Sequence, residues 1–263
     1  MNATQPPPHS TPVSIVTGAS RGLGLGIARQ LLQRGHRVLT LQRSPSTELA
    51  AEAARLGATL EQWAVDLTQP EQTAVHLKTW VQGLPRAEVA SLDLINNAAL
   101  LVEPGPLAEA DPGSMVAAMR ASLEAPLLLT SAFLAASADL AVPRKVLNIS
   151  SGLGRFAMAG SAVYCAAKAG MDQFSRAVAL EEAERPHGAK IVSLAPGVID
   201  TDMQVQLRGA DPVRFSSQGR FAGLKAQGQL DSADAAAAKV LACLDAAEFG
   251  QKVIADVRDL AGG

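Results

Sequence analysis

Residues 17–24 read TGASRGLG, and this stretch decides the fold that we predict for the chain. It follows a β-branched run, Val13–Thr17, and opens a helix-like segment, Gly24–Arg34, that ends before a glycine. A glycine-rich turn between a strand and a helix presents main-chain N–H groups to which phosphate groups bind. A glycine motif alone is often an ordinary turn. Because this one lies between the first strand and the first helix, we predict that it holds the pyrophosphate of a dinucleotide.

Beyond this stretch, short β-branched runs alternate with longer segments rich in alanine and leucine. Such alternation is typical of strand–helix units that build a buried parallel sheet. We therefore predict an α/β fold, a single-domain doubly wound parallel sheet of the Rossmann type with helices on both faces. The predicted strands are Val13–Thr17, Arg37–Leu41, Thr59–Val65, Leu92–Ile95, Lys145–Ile149, Lys190–Leu194 and Lys252–Ile254, and a long helix is predicted over Ser161–Glu184.

Two segments depart from this alternation. Residues 1–12 are rich in proline and are predicted to be a disordered tail before one domain that spans residues 13–263. Residues 203–230 combine four basic side chains with two phenylalanines and several glycines, and they contain no clear strand. We expect this segment to be either a substrate lid or a solvated helical insertion whose basic side chains point outward.

Composition narrows the possible functions. The chain has 263 residues, of which 48% are hydrophobic, so it can bury a sizeable core. Its formal net charge is -2 and its 23 lysines and arginines are scattered, which argues against nucleic acid or a membrane surface as a partner. The two cysteines lack metal-ligand spacing, so we expect no metal site. Because the sequence shows no membrane-spanning apolar stretch and no signal peptide, we expect a soluble, cytoplasmic protein.

The end of the second predicted strand indicates which dinucleotide is bound. Sheets of this kind that bind NAD carry an acidic residue there for the ribose hydroxyls. This chain has Arg43 followed by Ser44, with Arg21 in the glycine-rich stretch and no acidic residue nearby in the sequence. Arginines suit a 2′-phosphate through charge-assisted hydrogen bonds, so the sequence predicts NADP(H). The alternative is that both arginines are merely solvated.

Polar residues also follow the third and fourth predicted strands, at the edge where open parallel sheets bind ligands. Asp66, with Leu67 after it, is predicted to accept a hydrogen bond from the adenine amino group. Residues 96–99 read NNAA. Taken singly, each of these polar residues is better explained as a helix cap or a turn residue.

The strongest chemical signal is Tyr164-x-x-x-Lys168, because a spacing of four places both side chains on one face of a helix. Tyr164 is the only tyrosine of the chain. We expect the Lys168 ammonium to lower the phenol pKa from about 10 toward the working range of a proton donor. Ser151 follows the fifth predicted strand, and a strand end that faces the helix can place its hydroxyl beside the phenol.

Together these motifs resemble the short-chain dehydrogenase/reductase family over Val13–Asp259, in particular its sepiapterin reductases and benzil-type diketone reductases. The resemblance implies a homodimer or homotetramer that reduces a ketone or diketone carbonyl with NADPH. It also implies that Ser151 polarises the carbonyl, Tyr164 donates the proton and Lys168 holds the nicotinamide ribose. The implied cofactor contacts are Gly18, Ser20, Arg21, Gly22, Leu23, Gly24, Arg43, Ser44, Asp66, Leu67, Asn97, Ala98, Tyr164, Lys168, Pro196, Gly197, Val198 and Thr201.

Two residues depart from the family pattern. Ser122 stands where the family has a catalytic asparagine whose main-chain carbonyl holds a water leading to the lysine, and a serine keeps that carbonyl. Ala99 replaces the glycine usual after Asn-Asn-Ala. The predicted substrate contacts are Ser151, Leu153, Phe156, Tyr164, Met203 and, at the position of the aspartate that anchors the pterin in sepiapterin reductases, Asp256.

Two alternative functions stay open at this point. A 3-oxoacyl thioester reductase would use the same chemistry, and the basic residues of 203–230 would offer its acyl carrier a positive surface. A non-catalytic dinucleotide sensor would keep the glycine-rich stretch and could lose the proton donor, whereas this chain retains it.

Overall fold

A single parallel sheet runs through the computed structural model, which describes residues 10–259. Its strands are β1 (Thr11–Thr17), β2 (Arg37–Gln42), β3 (Leu60–Ala64), β4 (Val89–Asn96), β5 (Arg144–Ile149), β6 (Lys190–Ala195) and β7 (Ile254–Asp256). They lie in the order β3-β2-β1-β4-β5-β6-β7, and every neighbouring pair is parallel. The predicted doubly wound α/β fold is confirmed. The strand order reverses between β1 and β4, which opens a crevice at the carboxyl ends of the strands.

Helices cover both faces of the sheet. They are α1 (Gly22–Gln33), α2 (Thr47–Leu56), α3 (Pro70–Gln82), α4 (Pro112–Met119), α5 (Ala125–Ser137), α6 (Ala162–Ala183), α7 (Asp202–Arg208), α8 (Gln218–Ala226) and α9 (Ala233–Asp245). On one face, Ile27 of α1 and Val240 of α9 belong to the same buried apolar cluster. On the other face, Leu77 of α3 and Phe133 of α5 belong to a second cluster. The sheet therefore lies between two apolar cores.

The predicted strands differ from those of the structure by one to three residues at their ends, and two of these differences have a local cause. The predicted tail reached Pro12, but β1 begins at Thr11, and residues 1–9 lie outside the described residues. Pro12 is tolerated in the ladder because the register between β1 and β4 shifts between Thr11 and Pro12, and such irregularities accommodate a missing N–H. At the other end, β7 begins at Ile254 rather than Lys252, because Gly250 has φ +90° and turns the chain just before it.

The irregular segment 203–230 is largely helical, since it contains most of α7 and all of α8. Its centre is held by Phe215, which is fully buried and stacks on Phe221 with ring centroids 5.8 Å apart. The neighbouring Arg214 forms ion pairs with Glu103 (3.2 Å) and Glu109 (3.0 Å). The segment agrees with the expected helical insertion, and its basic side chains are divided, since Arg208 and Arg214 are partly buried whereas Arg220 and Lys225 are exposed. Its role as a substrate lid stays a prediction.

Within residues 10–259, no helix is both long and apolar enough to cross a membrane. The same residues contain no group of three or more His, Cys, Asp or Glu side chains arranged to hold a metal ion. Cys165 and Cys243 are both free cysteines.

Asp93 of β4 is buried in the sheet with few partners. Its Oδ2 accepts a hydrogen bond from the Ser14 hydroxyl (3.3 Å), which also lies 2.9 Å from Nδ1 of His36. Burial raises the pKa of the Asp93 carboxyl from 3.8 to about 6, and the attraction of Lys145 only partly offsets this rise. The carboxylate form of Asp93 is therefore less favourable in the folded protein than in water.

We expect Asp93→Asn to stabilise the protein at pH 8 but not at about pH 4. When the pKa of a carboxyl is higher in the folded state, its contribution to the free energy of unfolding is complete at low pH. This contribution is lost as the pH rises from 3.8 to about 6. A shift of this size corresponds to roughly 3 kcal/mol at most. Urea unfolding of both proteins at the two pH values measures the difference.

Asp139→Asn is the matched control for this experiment, because Asp139 is exposed and bonded to Arg86, which lowers its carboxyl pKa. Its substitution should weaken stability at pH 8, opposite in sign to Asp93→Asn. A stability gain of Asp93→Asn that is equal at both pH values would show that ionisation of Asp93 is not the cause.

Candidate active site

A cavity of about 1380 Å³ opens at the carboxyl ends of the strands. Its wall includes the residues that follow β1, β4, β5 and β6, as the fold predicts. All the predicted substrate contacts line it, and so do all the predicted cofactor contacts except Ser44. Of the predicted catalytic residues, Ser151, Tyr164 and Lys168 line it, whereas Ser122 does not. The structure therefore brings almost every predicted site residue to one cavity.

The glycine-rich stretch is shaped by close main-chain contacts. Gly18 and Gly22 have φ of +69° and +54°, a conformation that favours glycine. A Cβ at Gly24 would lie 2.2 Å from the Gly18 carbonyl oxygen. Asn97 fixes the turn, because its Nδ2 donates to the carbonyls of Thr17 (2.9 Å) and Gly18 (3.2 Å).

The start of α1 suits a phosphate group. No side chain caps this helix, and its first turn contains no acidic residue. Its first N–H groups therefore lack the side-chain acceptor that usually satisfies them. This uncapped helix start at the cavity wall fits the pyrophosphate of a nicotinamide dinucleotide.

The two arginines expected at the 2′-phosphate differ in their surroundings. Arg21 forms an ion pair with Asp202 of α7 (2.5 Å), so the expectation of no acidic residue nearby is wrong for Arg21. The sequence hides this contact because the two residues are far apart along the chain. Arg43 lines the cavity, is exposed, and forms no ion pair within residues 10–259.

Asp66 stabilises a turn, which the sequence offered as the alternative to adenine binding. Its Oδ1 accepts hydrogen bonds from the main-chain N and the hydroxyl of Thr68, both at 2.9 Å. These bonds, and to a lesser extent the charge of Arg43, hold the pKa of the Asp66 carboxyl below its usual value. The side chain stabilises the turn after β3 and still lines the cavity.

Ser151, Tyr164 and Lys168 meet where β5 ends against α6. The Ser151 side chain acts on the Tyr164 phenol as a hydrogen-bonding neighbour that lowers its pKa. Lys168 is 2% exposed, its Nζ donates to the main-chain carbonyl of Ile149 (2.6 Å), and it lies 5.7 Å from the centre of the Tyr164 ring. All three residues line the same cavity.

The expected effect of Lys168 on Tyr164 is not found. Burial raises the pKa of the Tyr164 phenol, and the hydrogen bond of Ser151 acts against this rise. Burial also lowers the pKa of Lys168 to about 8, although the charge of Asp172 counteracts it. Lys168 donates to the Ile149 carbonyl, and burial is the largest influence on the pKa of the phenol. A phenol with a raised pKa keeps its proton at neutral pH, as a proton donor requires.

Ser122 lies at the centre of a π-helical turn, Arg120–Glu124, between α4 and α5. Its buried hydroxyl accepts a hydrogen bond from the main-chain N of Leu100 (3.0 Å), so the side chain holds the loop after β4. Pro126 has no N–H, and the carbonyl of Ser122 therefore lacks the α-helical donor four residues further on. The helix is thus locally opened at Ser122.

Asp256, at the end of β7, lines the cavity but already has a partner. Its Oδ1 accepts from Nε of Arg258 (2.8 Å) and its Oδ2 from Nη2 of the same side chain (2.6 Å). This guanidinium holds the pKa of the Asp256 carboxyl below its usual value. Sequence reasoning missed Arg258, although residues two apart in an extended chain lie on one side.

Part of the cavity wall is apolar. Leu153, Phe156 and Met203 line the cavity, and Phe156 is 69% exposed. Phe221 and Arg220 of α8 also line it, and the sequence analysis did not single them out as contacts. A large exposed aromatic side chain at a cavity mouth is typical of a surface that binds an apolar ligand.

Comparison with known proteins agrees with this geometry. The family profile described as short chain dehydrogenase matches residues 12–211. A benzil reductase ((S)-benzoin forming) of Bacillus cereus is 35% identical over 237 residues, covering 90% of this chain and 95% of the relative. A sepiapterin reductase of Mus musculus is 34% identical over 262 residues, with coverages of 94% and 97%. A metagenomic short-chain oxidoreductase solved in complex with NADP superposes with a TM-score of 0.67 at 27% identity, with coverages of 94% and 96%. From its sequence and its fold, this chain belongs to the short-chain dehydrogenase family of oxidoreductases.

Proposed function

We propose that the protein reduces a ketone or diketone carbonyl to an alcohol with NADPH. The observation that carries the proposal is that Ser151, Tyr164 and Lys168 line one cavity together with the uncapped start of α1. In this function, residues 13–263 form one reductase domain and residues 203–230 are its substrate lid. Similarity to a benzil reductase and a sepiapterin reductase supports carbonyl compounds as the substrate class.

The roles of the residues follow from their placement. NADPH supplies the hydride when it is bound. Ser151 polarises the carbonyl and Tyr164 donates its proton to the developing alkoxide. Lys168 binds the nicotinamide ribose and passes to Tyr164 a proton that comes from a water held by the main-chain carbonyl of Ser122. The apolar wall excludes water while these groups align the carbonyl.

The test of this proposal is a reduction assay with NADPH against benzil, sepiapterin and acetoacetyl thioesters. We expect benzil to be reduced best, because the carboxylate of Asp256 is already bonded to Arg258 and the wall beside it is apolar. Asp256→Asn should then weaken sepiapterin reduction and leave benzil reduction nearly unchanged. Failure of all three carbonyl compounds to oxidise NADPH would overturn the proposal.

The cofactor preference rests on Arg43. We expect Arg43→Gln to weaken NADPH binding roughly tenfold or more, since a charged hydrogen bond contributes about 1.5–3 kcal/mol. NADH binding should not change, because NADH has no 2′-phosphate. Isothermal titration with both cofactors measures the effect.

Arg21→Gln is the matched control, and we expect it to have the smaller effect because Arg21 is paired with Asp202. Equal affinity of the unmodified protein for NADPH and NADH would contradict NADPH as the cofactor.

The acyl-carrier alternative receives less support from the structure than from the sequence. Arg208 and Lys225 both pair with Asp200, and Arg214 pairs with two glutamates. These acidic partners neutralise most of the expected positive surface. A non-catalytic sensor needs no proton donor. Because the chain has both Ser151 and Tyr164, catalysis is favoured over the sensor alternative. We also propose that the protein is cytoplasmic. We propose further that it forms a homodimer or homotetramer, and gel filtration measures this oligomeric state.

A further inference from the structure

A buried carboxylate lies beneath the turn that carries Ser151, and the mechanism above does not use it. Asp172 of α6 is 1% exposed. Its Oδ1 accepts hydrogen bonds from the hydroxyls of Ser150 (2.6 Å) and Ser193 (2.7 Å). Its Oδ2 accepts from Nε of Arg155 (3.2 Å), so the buried charge is paired.

Arg155 connects the turn after β5 to two other elements. Besides Asp172 of α6, it reaches the end of the sheet, because its Nη2 donates to the main-chain carbonyl of Ala255 in β7 (2.9 Å). A Cβ at Gly154 would lie 2.9 Å from the carbonyl oxygen of Lys168 and 3.0 Å from Oδ2 of Asp172. The turn therefore packs directly on the helix that carries Tyr164 and Lys168.

The turn itself has little internal rigidity. Its main-chain hydrogen bonds, Gly154 N to Ser151 O (3.0 Å) and Arg155 N to Gly152 O (2.9 Å), are short-range. Two of its residues are glycines, which are conformationally free. Within the turn, the Ser151 hydroxyl is held only by the hydrogen bond that it accepts from the main-chain N of Leu153 (3.2 Å). Contacts between the turn and its neighbours therefore decide where the turn places this hydroxyl.

We propose that Arg155 and Asp172 are positioning residues that fix the Ser151 hydroxyl against the Tyr164 phenol. This inference rests on the proposed carbonyl reduction, in which the two hydroxyls must meet one oxygen atom. Neither residue touches the reacting atoms. They act by holding the turn onto α6, one helical turn beyond Lys168.

Asp172 has a second effect, on the charge of Lys168. The titratable groups that act on or lie near this lysine are Asp172 and Tyr164, both on α6. Asp172 in turn pairs with Arg155 of the turn, whose guanidinium lies 4.0 Å from Asp256 of β7. Asp172 counteracts the lowering of the Lys168 pKa by burial. Without its carboxylate, the lysine should lose its proton at a lower pH than in the unmodified protein.

The kinetic test compares Arg155→Met with Arg155→Lys, using NADPH and the best carbonyl substrate. We expect Arg155→Met to lower kcat roughly tenfold to 100-fold with an unchanged KM for NADPH, as a displacement of about 1 Å can do. Arg155→Lys keeps the charge and should recover part of the loss. Asp172→Asn should also move the alkaline limb of the kcat profile to lower pH.

Ser175→Ala is the matched control, because Ser175 lies on the same helix, is buried, and accepts a hydrogen bond from Asn148 (2.8 Å) without contacting the turn. It should lower the melting temperature without lowering kcat. If Arg155→Met has the same kcat as Ser175→Ala, the pair is only structural and the inference is wrong.

A spectroscopic test does not depend on turnover. Because Tyr164 is the only tyrosine, protein labelled with 3-fluorotyrosine gives one tyrosine ¹⁹F signal whose titration reports this phenol alone. Arg155→Met should raise the Tyr164 pKa in the direction that Ser151→Ala does, since the Ser151 hydrogen bond lowers it. An unchanged titration would overturn the inference. A changed titration in a protein that reduces no carbonyl would overturn the proposed function and leave the positioning role intact.

Discussion

Tyr164→Phe should reduce kcat for carbonyl reduction by roughly two to four orders of magnitude, the usual contribution of general acid catalysis. The substitution removes one hydroxyl from a half-buried side chain of α6 and keeps the aromatic ring. The fold should therefore persist. Stopped-flow measurement of NADPH oxidation under single-turnover conditions gives the rate of the chemical step.

Cofactor binding supplies the control for this variant. We expect the dissociation constant of NADPH to be nearly unchanged, because the uncapped start of α1 and Arg43 are untouched. Normal turnover of diketones by the Phe variant would show that another group donates the proton, and the assignment of Tyr164 would be wrong.

Gly24→Ala should have the second largest effect, on cofactor binding and on stability together. The added methyl would lie 2.2 Å from the Gly18 carbonyl oxygen and 2.5 Å from Nδ2 of Asn97, and the first of these atoms belongs to the main chain. The glycine-rich turn between β1 and α1 must widen to accommodate this methyl group. Overpacking typically costs about 1–3 kcal/mol, so NADPH binding should weaken roughly tenfold to 100-fold. Isothermal titration and thermal unfolding measure both effects.

Gly219→Ala is the matched control, because Gly219 lies in α8 and no heavy atom would come within 4 Å of the new methyl. Alanine is favoured over glycine in a helix by about 0.5–1 kcal/mol, so this variant should be slightly more stable. A Gly24→Ala protein that binds NADPH normally would show that the turn adapts and that its close packing is not needed.

The fold was predictable because it depends on local patterns. Each β-branched run became a strand, and boundaries moved by only a few residues, at Pro12 and near Gly250 for example. The cavity was predictable because strand ends in a parallel sheet meet at one edge. The Tyr164–Lys168 spacing lies on one helix and needs no tertiary information.

The missed features all depend on contacts between distant parts of the chain. Nothing near Arg21 in the sequence indicates Asp202, and Arg155 gives no local sign that it reaches Asp172 and β7. The predicted direction of the Tyr164 pKa shift was wrong for a related reason. Spacing places Lys168 near the phenol, but only the structure shows how far burial outweighs that charge.

Phe215, which holds the centre of the segment 203–230, constrains the residue at position 160. A Cβ at Gly160 would lie 2.8 Å from Cδ2 of Phe215, and Gly160 itself has φ +78°. Any side chain at position 160 must therefore displace the phenylalanine that holds the centre of the segment. We expect homologues to change these two positions together. Because Phe215 also stacks on Phe221, which lines the cavity, a change at position 160 should alter the cavity wall as well.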